Sequence, residues 1–314
     1  MASREAASRA TDEGDGGFTL VQGSSRSRFA YPALLVGVLA VGSAAVLIRL
    51  ADAPAIAVAF WRCALAVGTL LPVALWRRER FPKGRTLYVA ILSGMALGAH
   101  FGFWVSSLDH TSVAASVVLV SSSPVFVALF AFLAFGERTS IISLVGIAVS
   151  LAGTVVITLD DSVGSAAVYG NLLAIVGALT FAVYVVIGRS ARTTGGVGTI
   201  AYSIVTYCSA SLTLLTYGLL FGTEMWRFSG ETWFWLFAIA LGPQILGHTV
   251  FNWTLGFFEA SVISGVTLAE PVVSSVLAWS VLGESPGVPT LIGGFVVLAG
   301  LYLLLAGRRS VNKG

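Results

Sequence analysis

Apolar residues run through the chain in long continuous stretches, separated by short polar connections. A helix needs about 20 residues to cross the hydrocarbon layer of a bilayer, which is about 30 Å thick. Membrane β-barrels show shorter segments in which apolar and polar residues alternate, so continuous stretches indicate helices. We therefore predict an all-α membrane protein with ten transmembrane helices. The predicted spans are 32–50, 54–76, 86–108, 112–135, 140–159, 169–188, 198–222, 232–256, 260–282 and 288–306.

Polar segments flank these spans at both ends of the chain. Residues 1–31 are rich in glycine and serine and lack the apolar core and cleavage site of a signal peptide. We interpret them as a disordered cytoplasmic tail. Residues 307–314 are interpreted as a second, short cytoplasmic tail.

Positive charges lie mainly on one side of the predicted spans. With a cytoplasmic N-terminus, the inner segments contain fifteen of the eighteen lysines and arginines. The outer segments contain only Arg49 and Arg227, and Arg62 lies within a span. Cytoplasmic loops of membrane proteins are enriched in lysine and arginine. We therefore predict that both termini lie on the cytoplasmic side of the plasma (inner) membrane.

The composition agrees with a membrane location and narrows the classes of partner. Apolar residues make up 56% of the chain and charged residues 11%, whereas soluble domains contain about 25% charged residues. A formal net charge of +3 is too small to indicate a nucleic-acid partner. Cys63 and Cys208 lie in apolar runs and predict neither a disulfide framework nor a metal site. We expect no cofactor, a small-molecule substrate, and a monomer or weak homodimer in the bilayer.

Landmarks in the first half of the chain recur in the second half, 140 to 148 residues later. The matching landmarks are Leu39 and Leu179, Arg49 and Arg189, Gly94 and Gly242, His100 and His248, Pro124 and Pro271, Gly136-Glu137 and Gly283-Glu284, Gly146 and Gly293, and Gly153 and Gly300. They define a first repeat of spans 1–5 (32–159) and a second repeat of spans 6–10 (160–306). Because five is odd, the second repeat crosses the membrane in the opposite sense. Inverted repeats are typical of secondary transporters.

Several of these motifs together resemble the EamA family of the drug/metabolite transporter superfamily. The motifs are the 5+5 duplication, the Pro…Gly-Glu pattern that closes spans 4 and 9, Arg62 in span 2, and Ala182-Val183-Tyr184 ahead of Arg189 in span 6. Span 1 contains Val41-Gly42-Ser43-Ala44, a partial match to the family's Trp-Gly-Ser-Asn. The resemblance covers about 32–306 and implies an alternating-access carrier with a cavity between spans 1, 3, 4, 6, 8 and 9. It also implies export of amino acids or related metabolites, which is common among bacterial members.

Arg62 is the cation at membrane depth. It lies about 12 Å into span 2, counted from Pro54 at about 1.5 Å per residue. Polar groups in hydrocarbon are costly and need a partner or a cavity. Arg62 is either a structural cation satisfied by helix-end carbonyls or by Glu270, or an anchor for a substrate carboxylate or phosphate. Of these two roles we favour the structural one.

Glu270 is the acid at membrane depth, and it precedes Pro271 in span 9. A proline breaks the helical hydrogen bonding and so exposes backbone carbonyls to a cavity. An apolar setting favours the neutral carboxyl group, which suits proton coupling. The alternative roles of Glu270 are binding of a substrate ammonium and hydrogen bonding to a neighbouring helix. We expect a similar helix break at Pro124 in span 4, where Ser122 and Ser123 provide hydroxyl groups for substrate binding or for packing.

Spans 3 and 8 each contain a histidine near mid-depth, at equivalent positions of the two repeats. On the same helical faces lie Trp104 beside His100, and Gln244 and Asn252 beside His248. Together with Tyr184 of span 6, these side chains predict a midplane site for a zwitterionic or aromatic solute, although buried histidines also serve as packing residues. Two histidines without a fixed carboxylate are a poor metal site, and none is predicted.

We predict from these features a secondary active transporter that works by alternating access and exports small amphipathic metabolites such as amino acids. The alternatives are a multidrug or other metabolite carrier of the same fold, or a non-transporting membrane enzyme or scaffold. The sequence lacks the His-Glu-x-x-His and Gly-x-Ser-x-Gly motifs of hydrolases. Asp109-His110, the nearest approach to a catalytic dyad, lies in a predicted external turn. We therefore do not expect an enzyme.

Overall fold

The computed structural model describes residues 29–111, 113–136, 139–158, 165–193, 197–283 and 287–311. All regular secondary structure within these ranges is helical. The helices, numbered in chain order, are α1 (Ala30–Ala51), α2 (Ala55–Trp76), α3 (Gly84–Ser107), α4 (Val113–Val120 and Ser123–Phe135), α5 (Ile141–Thr158), α6 (Ser165–Thr193), α7 (Thr199–Leu220), α8 (Gly230–Thr254), α9 (Ala260–Leu282) and α10 (Val288–Val311).

Seven of these helices, α1, α2, α3, α6, α7, α8 and α9, are long and apolar enough to cross a membrane. The shorter apolar stretches are Ser123–Phe135 in α4, Ile141–Gly153 in α5 and Leu291–Leu304 in α10. The main apolar core lies between α1–α4 and α6–α9, while α5 pairs with α10 around a smaller core. The prediction of an all-α protein with several membrane-length helices is confirmed.

The helices at both ends of the chain are longer than predicted. α1 begins at Ala30, inside the predicted tail 1–31, and α10 continues to Val311, beyond the predicted end at 306. α6 likewise extends beyond the predicted span 169–188. Hydropathy ends a span at the first polar residues, but alanine and arginine are good helix formers and carry the helix onward. Parts of the predicted tails, 1–28 and 312–314, and the predicted Glu137 and Glu284 lie outside the described residues.

Two helices are interrupted close to a proline. α4 stops at Val120 and resumes at Ser123, just before Pro124, and α9 tightens into a 3₁₀ turn at Thr267–Ala269, just before Pro271. Proline has no N–H, and its ring clashes with the carbonyl four residues earlier. That carbonyl lies at the edge of the irregular segment in both helices, so the proline accounts for each interruption.

α1 and α8 are also irregular. α1 bends at Ser43, whose Oγ donates to the carbonyl of Ala40 at 2.7 Å. The Oγ of Ser274 in α9 donates to the carbonyl of Gly42 beside this bend at 2.7 Å. α8 widens into a π-helix over Ala240–Thr249, around Pro243. Such segments often occur at functional sites, and this one positions two of the predicted site residues.

α5 and α10 approach each other closely along small residues. A Cβ on Gly146 would lie 2.6 Å from the carbonyl oxygen of Gly300, and a Cβ on Gly153 would lie 2.7 Å from that of Gly293. The Oγ of Ser150, between them, donates to the carbonyl of Val297 at 3.2 Å. Packing through small residues replaces the hydrophobic effect, which is weak between helices in lipid.

We predict that Gly146→Leu destabilises the protein. The new side chain would meet backbone atoms of α10, which cannot move aside as a flexible side chain would, and overpacking costs about 1–3 kcal/mol. The measurement is the apparent melting temperature of the purified protein in detergent. Gly68→Leu is the matched control, because Gly68 is exposed on α2 with nothing within 4 Å of its Cβ position. Equal melting temperatures for the two variants would contradict the close α5–α10 contact.

Candidate substrate site

Buried polar and aromatic side chains of α2, α3, α6 and α8 meet inside the helical assembly. We call this group the central cluster. Its members are Arg62, His100, Phe101, Trp104, Phe181, Tyr184, Gln244 and His248. Each is at most 6% exposed, so the cluster lies away from the lipid-facing surface.

Arg62 lies at the centre of this group and is 0% exposed. Its Nε donates to Oε1 of Gln244 at 2.8 Å. The guanidinium carbon lies 3.9 Å from the ring centroid of Phe101, a cation–π contact. Nη1 and Nη2, by contrast, are buried and have no hydrogen-bond partner among the described residues. The guanidinium of Arg62 is therefore held through Nε and through the face that contacts Phe101. Its two terminal nitrogens, Nη1 and Nη2, which we call the fork, are unpaired.

The two predicted histidines lie close together but differ in their hydrogen bonds. Their ring centroids are 6.4 Å apart. Nδ1 of His100 lies 2.9 Å from the carbonyl oxygen of Gly177 in α6, and because a carbonyl only accepts, Nδ1 is the donor. The ring of Trp104 is stacked on that of His100, with centroids 5.8 Å apart. Nδ1 of His248 has no partner in the part of the chain that the structure describes.

Gln244 and Asn252, predicted on one face of α8, have different surroundings. Gln244 binds Arg62 through Oε1, while its Nε2 is buried without a partner. Asn252 accepts from the hydroxyl of Tyr184 at 2.7 Å and donates to Oγ of Ser203 at 3.1 Å. Asn252 and Tyr184 thus tie α8 to α6 and α7, and the amide of Asn252 keeps a second N–H donor beyond these bonds.

The structure places the remaining predicted residues at the interruptions of α4 and α9. Glu270 is 8% exposed and begins the helix after the 3₁₀ turn. Its carboxyl group interacts electrostatically with Arg62, but the two do not form an ion pair within 4.0 Å. Oγ of Ser122 donates to the carbonyl of Leu119 at 2.7 Å, and Ser123 is buried. No described hydrogen bond links these serines to the central cluster.

Three aromatic residues that were not among the predicted site residues contact the predicted site. Phe101 lies against Arg62 and His248, and Phe181 lies 5.1 Å from the ring of His100. The hydroxyl of Tyr207 in α7 donates to the carbonyl of Gln244 at 3.2 Å, within the π-helix. The position of Phe181, three residues before Tyr184 on the same face of α6, is the sequence signal from which Phe181 could have been selected.

Two other arginines provide a contrast to Arg62. Nη1 of Arg189 donates to the carbonyl of Phe258 at 2.6 Å. Arg192 donates to the carbonyls of Asn252 and Val197, at 3.1 and 2.8 Å, and to Oγ1 of Thr199 at 2.6 Å. These side chains fasten the end of α6 to neighbouring segments, as structural arginines do.

A cavity of about 310 Å³ lies at the ends of α1 and α3, away from the central cluster. Its lining residues are Ile48, Arg49, Asp52, Ala53, Pro54, Ala55, Leu108 and Asp109. Asp109 and the neighbouring His110 are exposed in the turn after α3, and no described hydrogen bond joins them. The described residues contain no group of three or more His, Cys, Asp or Glu side chains that would hold a metal ion.

Comparison with known proteins places this fold among membrane transporters. The sequence model of the EamA-like transporter family matches residues 28–159 and 168–306. A solved crystal structure superposes with a TM-score of 0.71 at 21% identity, over 90% of this chain and 98% of that chain, which shows a shared fold.

Relatives of similar length agree with this family. An uncharacterized transporter of Archaeoglobus fulgidus is 27% identical, over 79% of this chain and 86% of its own length. The uncharacterized transporter YdfC of Bacillus subtilis is 23% identical, over 81% and 83%. The uncharacterized inner membrane transporter YedA of Escherichia coli K12 is 27% identical, over 70% and 72%. The chain is a multi-pass plasma-membrane protein and belongs to the EamA-like transporter family.

Proposed function

We propose that this protein is a secondary active transporter that works by alternating access and exports small amphipathic metabolites such as amino acids. The observation that carries the proposal is a set of reciprocal contacts between α5 and α10, which supports the pseudo-two-fold axis of an inverted repeat. The polar central cluster at membrane depth supplies the solute-binding groups, with His100, Trp104, Tyr184, Gln244 and His248 among them. Ser122, Ser123, Asn252 and Glu270 complete the proposed set.

The α5–α10 contact supports the inverted repeat. The repeat pairs Gly146 with Gly293 and Gly153 with Gly300, each 147 residues apart. Under this pairing the contact of Gly146 with Gly300 becomes the contact of Gly293 with Gly153, and both are present. Ser150 bonds to Val297, its own counterpart 147 residues later. Such self-complementary contacts are characteristic of a two-fold axis.

The interruptions of α4 and α9 agree with the same relation. Ser121 and Ser122 of α4 correspond, 147 residues later, to Leu268 and Ala269 in the 3₁₀ turn of α9. Paired broken helices at the repeat interface are a common feature of transporter binding sites. We propose a first repeat at 32–159 and a second at 160–306, giving ten spans with both termini cytoplasmic. The exposed tryptophans Trp76 and Trp226 suit opposite membrane interfaces.

The two histidines provide a basis for alternating access. The repeat relates His100 and Gly177, at the α3–α6 contact, to His248 and Gly37, at the α8–α1 contact. The first pair is hydrogen bonded, whereas Nδ1 of His248 has no described partner. Exchanging the conformations of the two repeats converts one end state of such a carrier into the other. We propose that the His248–Gly37 bond forms in the state in which the His100–Gly177 bond is broken.

Glu270 is the proposed proton-coupling residue. It is a buried carboxyl group beside a helix interruption, where backbone carbonyls that leave the regular helical pattern provide polar groups next to it. Among the described residues its carboxylate has no hydrogen-bond partner that would keep it permanently charged. Binding and release of one proton at Glu270 would then accompany each transport cycle.

A multidrug carrier of the same fold is the second candidate function. It is favoured by the aromatic lining of the central cluster, in which Phe101, Trp104 and Phe181 surround the polar groups. Flat apolar cations would bind such a lining through ring contacts. The enzyme alternative has no comparable support, because Asp109 and His110 are exposed and not bonded to each other.

In proteoliposomes, we expect the purified protein to transport one or more amino acids faster when a pH gradient is imposed. Glu270→Gln should abolish the acceleration by the gradient, because the amide cannot bind and release a proton. Glu259→Gln is the matched control, since Glu259 is an exposed acid at the start of the same helix. Transport of the dye ethidium without any amino acid would favour the multidrug function, and transport of neither would refute the carrier.

We also expect His100→Leu and His248→Leu to shift the conformational equilibrium in opposite directions. Each removes a hydrogen bond of one end state, worth about 1 kcal/mol, which corresponds to about a fivefold change in population. Amide hydrogen exchange, measured by mass spectrometry, should then rise at one membrane face in the first variant and at the other face in the second. Changes at the same face in both variants would refute the exchange of these two bonds.

A further inference from the structure

Arg62 differs from Arg189 and Arg192, the two arginines that fasten the end of α6 to neighbouring segments. Nη1 of Arg189 and both Nη atoms of Arg192 donate to backbone carbonyls or to a hydroxyl group. Both Nη atoms of Arg62 are buried without a partner, although Arg62 lies deeper than the other two. A buried charge without partners is strongly destabilising. The structural role that sequence alone favoured for Arg62 therefore leaves two of the three guanidinium nitrogens unexplained.

The unpaired donors around Arg62 form a coherent set. They are Nη1 and Nη2 of Arg62, Nε2 of Gln244 and, farther from the fork, Nε1 of Trp104. Gln244 is itself fixed by its bond to Nε of Arg62 and by the Tyr207 bond to its carbonyl. Phe101 covers one face of the guanidinium, and the two Nη atoms at its terminal edge are buried without a partner. Only an acceptor group, supplied from outside this set, satisfies all of these donors.

The local charge defines the kind of acceptor. The other groups that interact electrostatically with Arg62 are Cys63, Tyr207 and Glu270, together with the two histidines of the cluster. None of them forms an ion pair with the guanidinium, and Glu270 is the one carboxyl group among them. A single cation is balanced by a single negative charge. A phosphate dianion would leave excess negative charge buried in the site.

We propose that the Arg62 fork and the Gln244 amide bind the carboxylate of the carried solute. The two Nη atoms match the two oxygens of a carboxylate in the bidentate arrangement that arginine favours. Nε2 of Gln244 donates a further bond to one of these oxygens. This inference rests on the proposed transport function and specifies its substrate class, organic monocarboxylates, which include amino acids, 2-oxo acids and aromatic acids.

The test uses probe pairs that differ only at the carboxyl group. Thermal unfolding of the full-length purified protein is measured with a panel of amino acids, 2-oxo acids and aromatic acids, each compared with its carboxamide, and with inorganic phosphate. A ligand that binds the folded state raises its melting temperature. We expect at least one acid to stabilise the protein and its carboxamide to bind about tenfold more weakly or worse.

Two variants connect this selectivity to the proposed atoms. Arg62→Lys keeps the charge but loses the fork, so acid binding should weaken by about tenfold or more. Gln244→Glu places a carboxylate beside the guanidinium. It should raise the melting temperature without solute and abolish stabilisation by acids. Arg189→Lys is the control, because it disturbs a structural arginine: it should lower the melting temperature but preserve the acid-dependent rise.

The proposal is overturned if carboxamides bind as well as acids, if no acid stabilises the protein, or if phosphate alone does so. It is also overturned if Arg62→Lys and Gln244→Glu bind acids like the parent. Transport assays on the same proteins separate this proposal from the proposed function. Transport of neutral or cationic solutes that is unaffected by Arg62→Lys would refute the proposed carboxylate site but not the proposed carrier function. Acid-selective binding without transport of any probe would support the carboxylate site and refute the proposed carrier function.

Discussion

A guanidinium group, that of Arg62, lies fully buried inside the helical assembly, and the neighbouring helices supply the groups that contact it. Hydrocarbon offers Arg62 no compensation, so α3 and α8 must bring it a ring face and an amide oxygen. Gln244 reaches Arg62 from the π-helix of α8. The hydroxyl of Tyr207 in α7 donates to the backbone carbonyl of Gln244 within that segment. One buried charge thus links the local geometry of α2, α3, α7 and α8.

The irregular backbone elsewhere obeys a related constraint. Backbone groups that leave the regular helical pattern inside a bilayer need partners within the protein or a polar cavity. The bend of α1 at Ser43 meets this need through its own side chain, and Ser274 of α9 reaches the neighbouring carbonyl of Gly42. Irregular helices therefore lie against one another: α1 contacts α9 beside its bend and also contacts the π-helix of α8.

Sequence patterns predicted the elements better than their contacts. Run length identified the helices, and Pro124 and Pro271 indicated where two of them are interrupted. Depth along a span follows from residue counting, but helix rotation and pairing do not. Hence the sequence selected Arg62, Gln244 and Asn252 alike, while the structure pairs Arg62 with Gln244 and occupies Asn252 with Tyr184 and Ser203. The π-helix, which depends on tertiary contacts, had no sequence signal beyond Pro243.

The proposed repeats share a scaffold but differ in charge, and this difference bears on function. Span 9 carries Glu270 where span 4 carries Ser123, and α7, the counterpart of α2, contains no charged residue to match Arg62. A symmetric scaffold gives two end states of similar energy, which alternating access requires. Arg62 lies in the first proposed repeat and Glu270 in the second, and neither has a charged counterpart in the other repeat. The symmetry is therefore broken at the binding groups alone. In the proposed carrier, duplication therefore accounts for the motion, and the unmatched pair of Arg62 and Glu270 accounts for recognition of solute and proton.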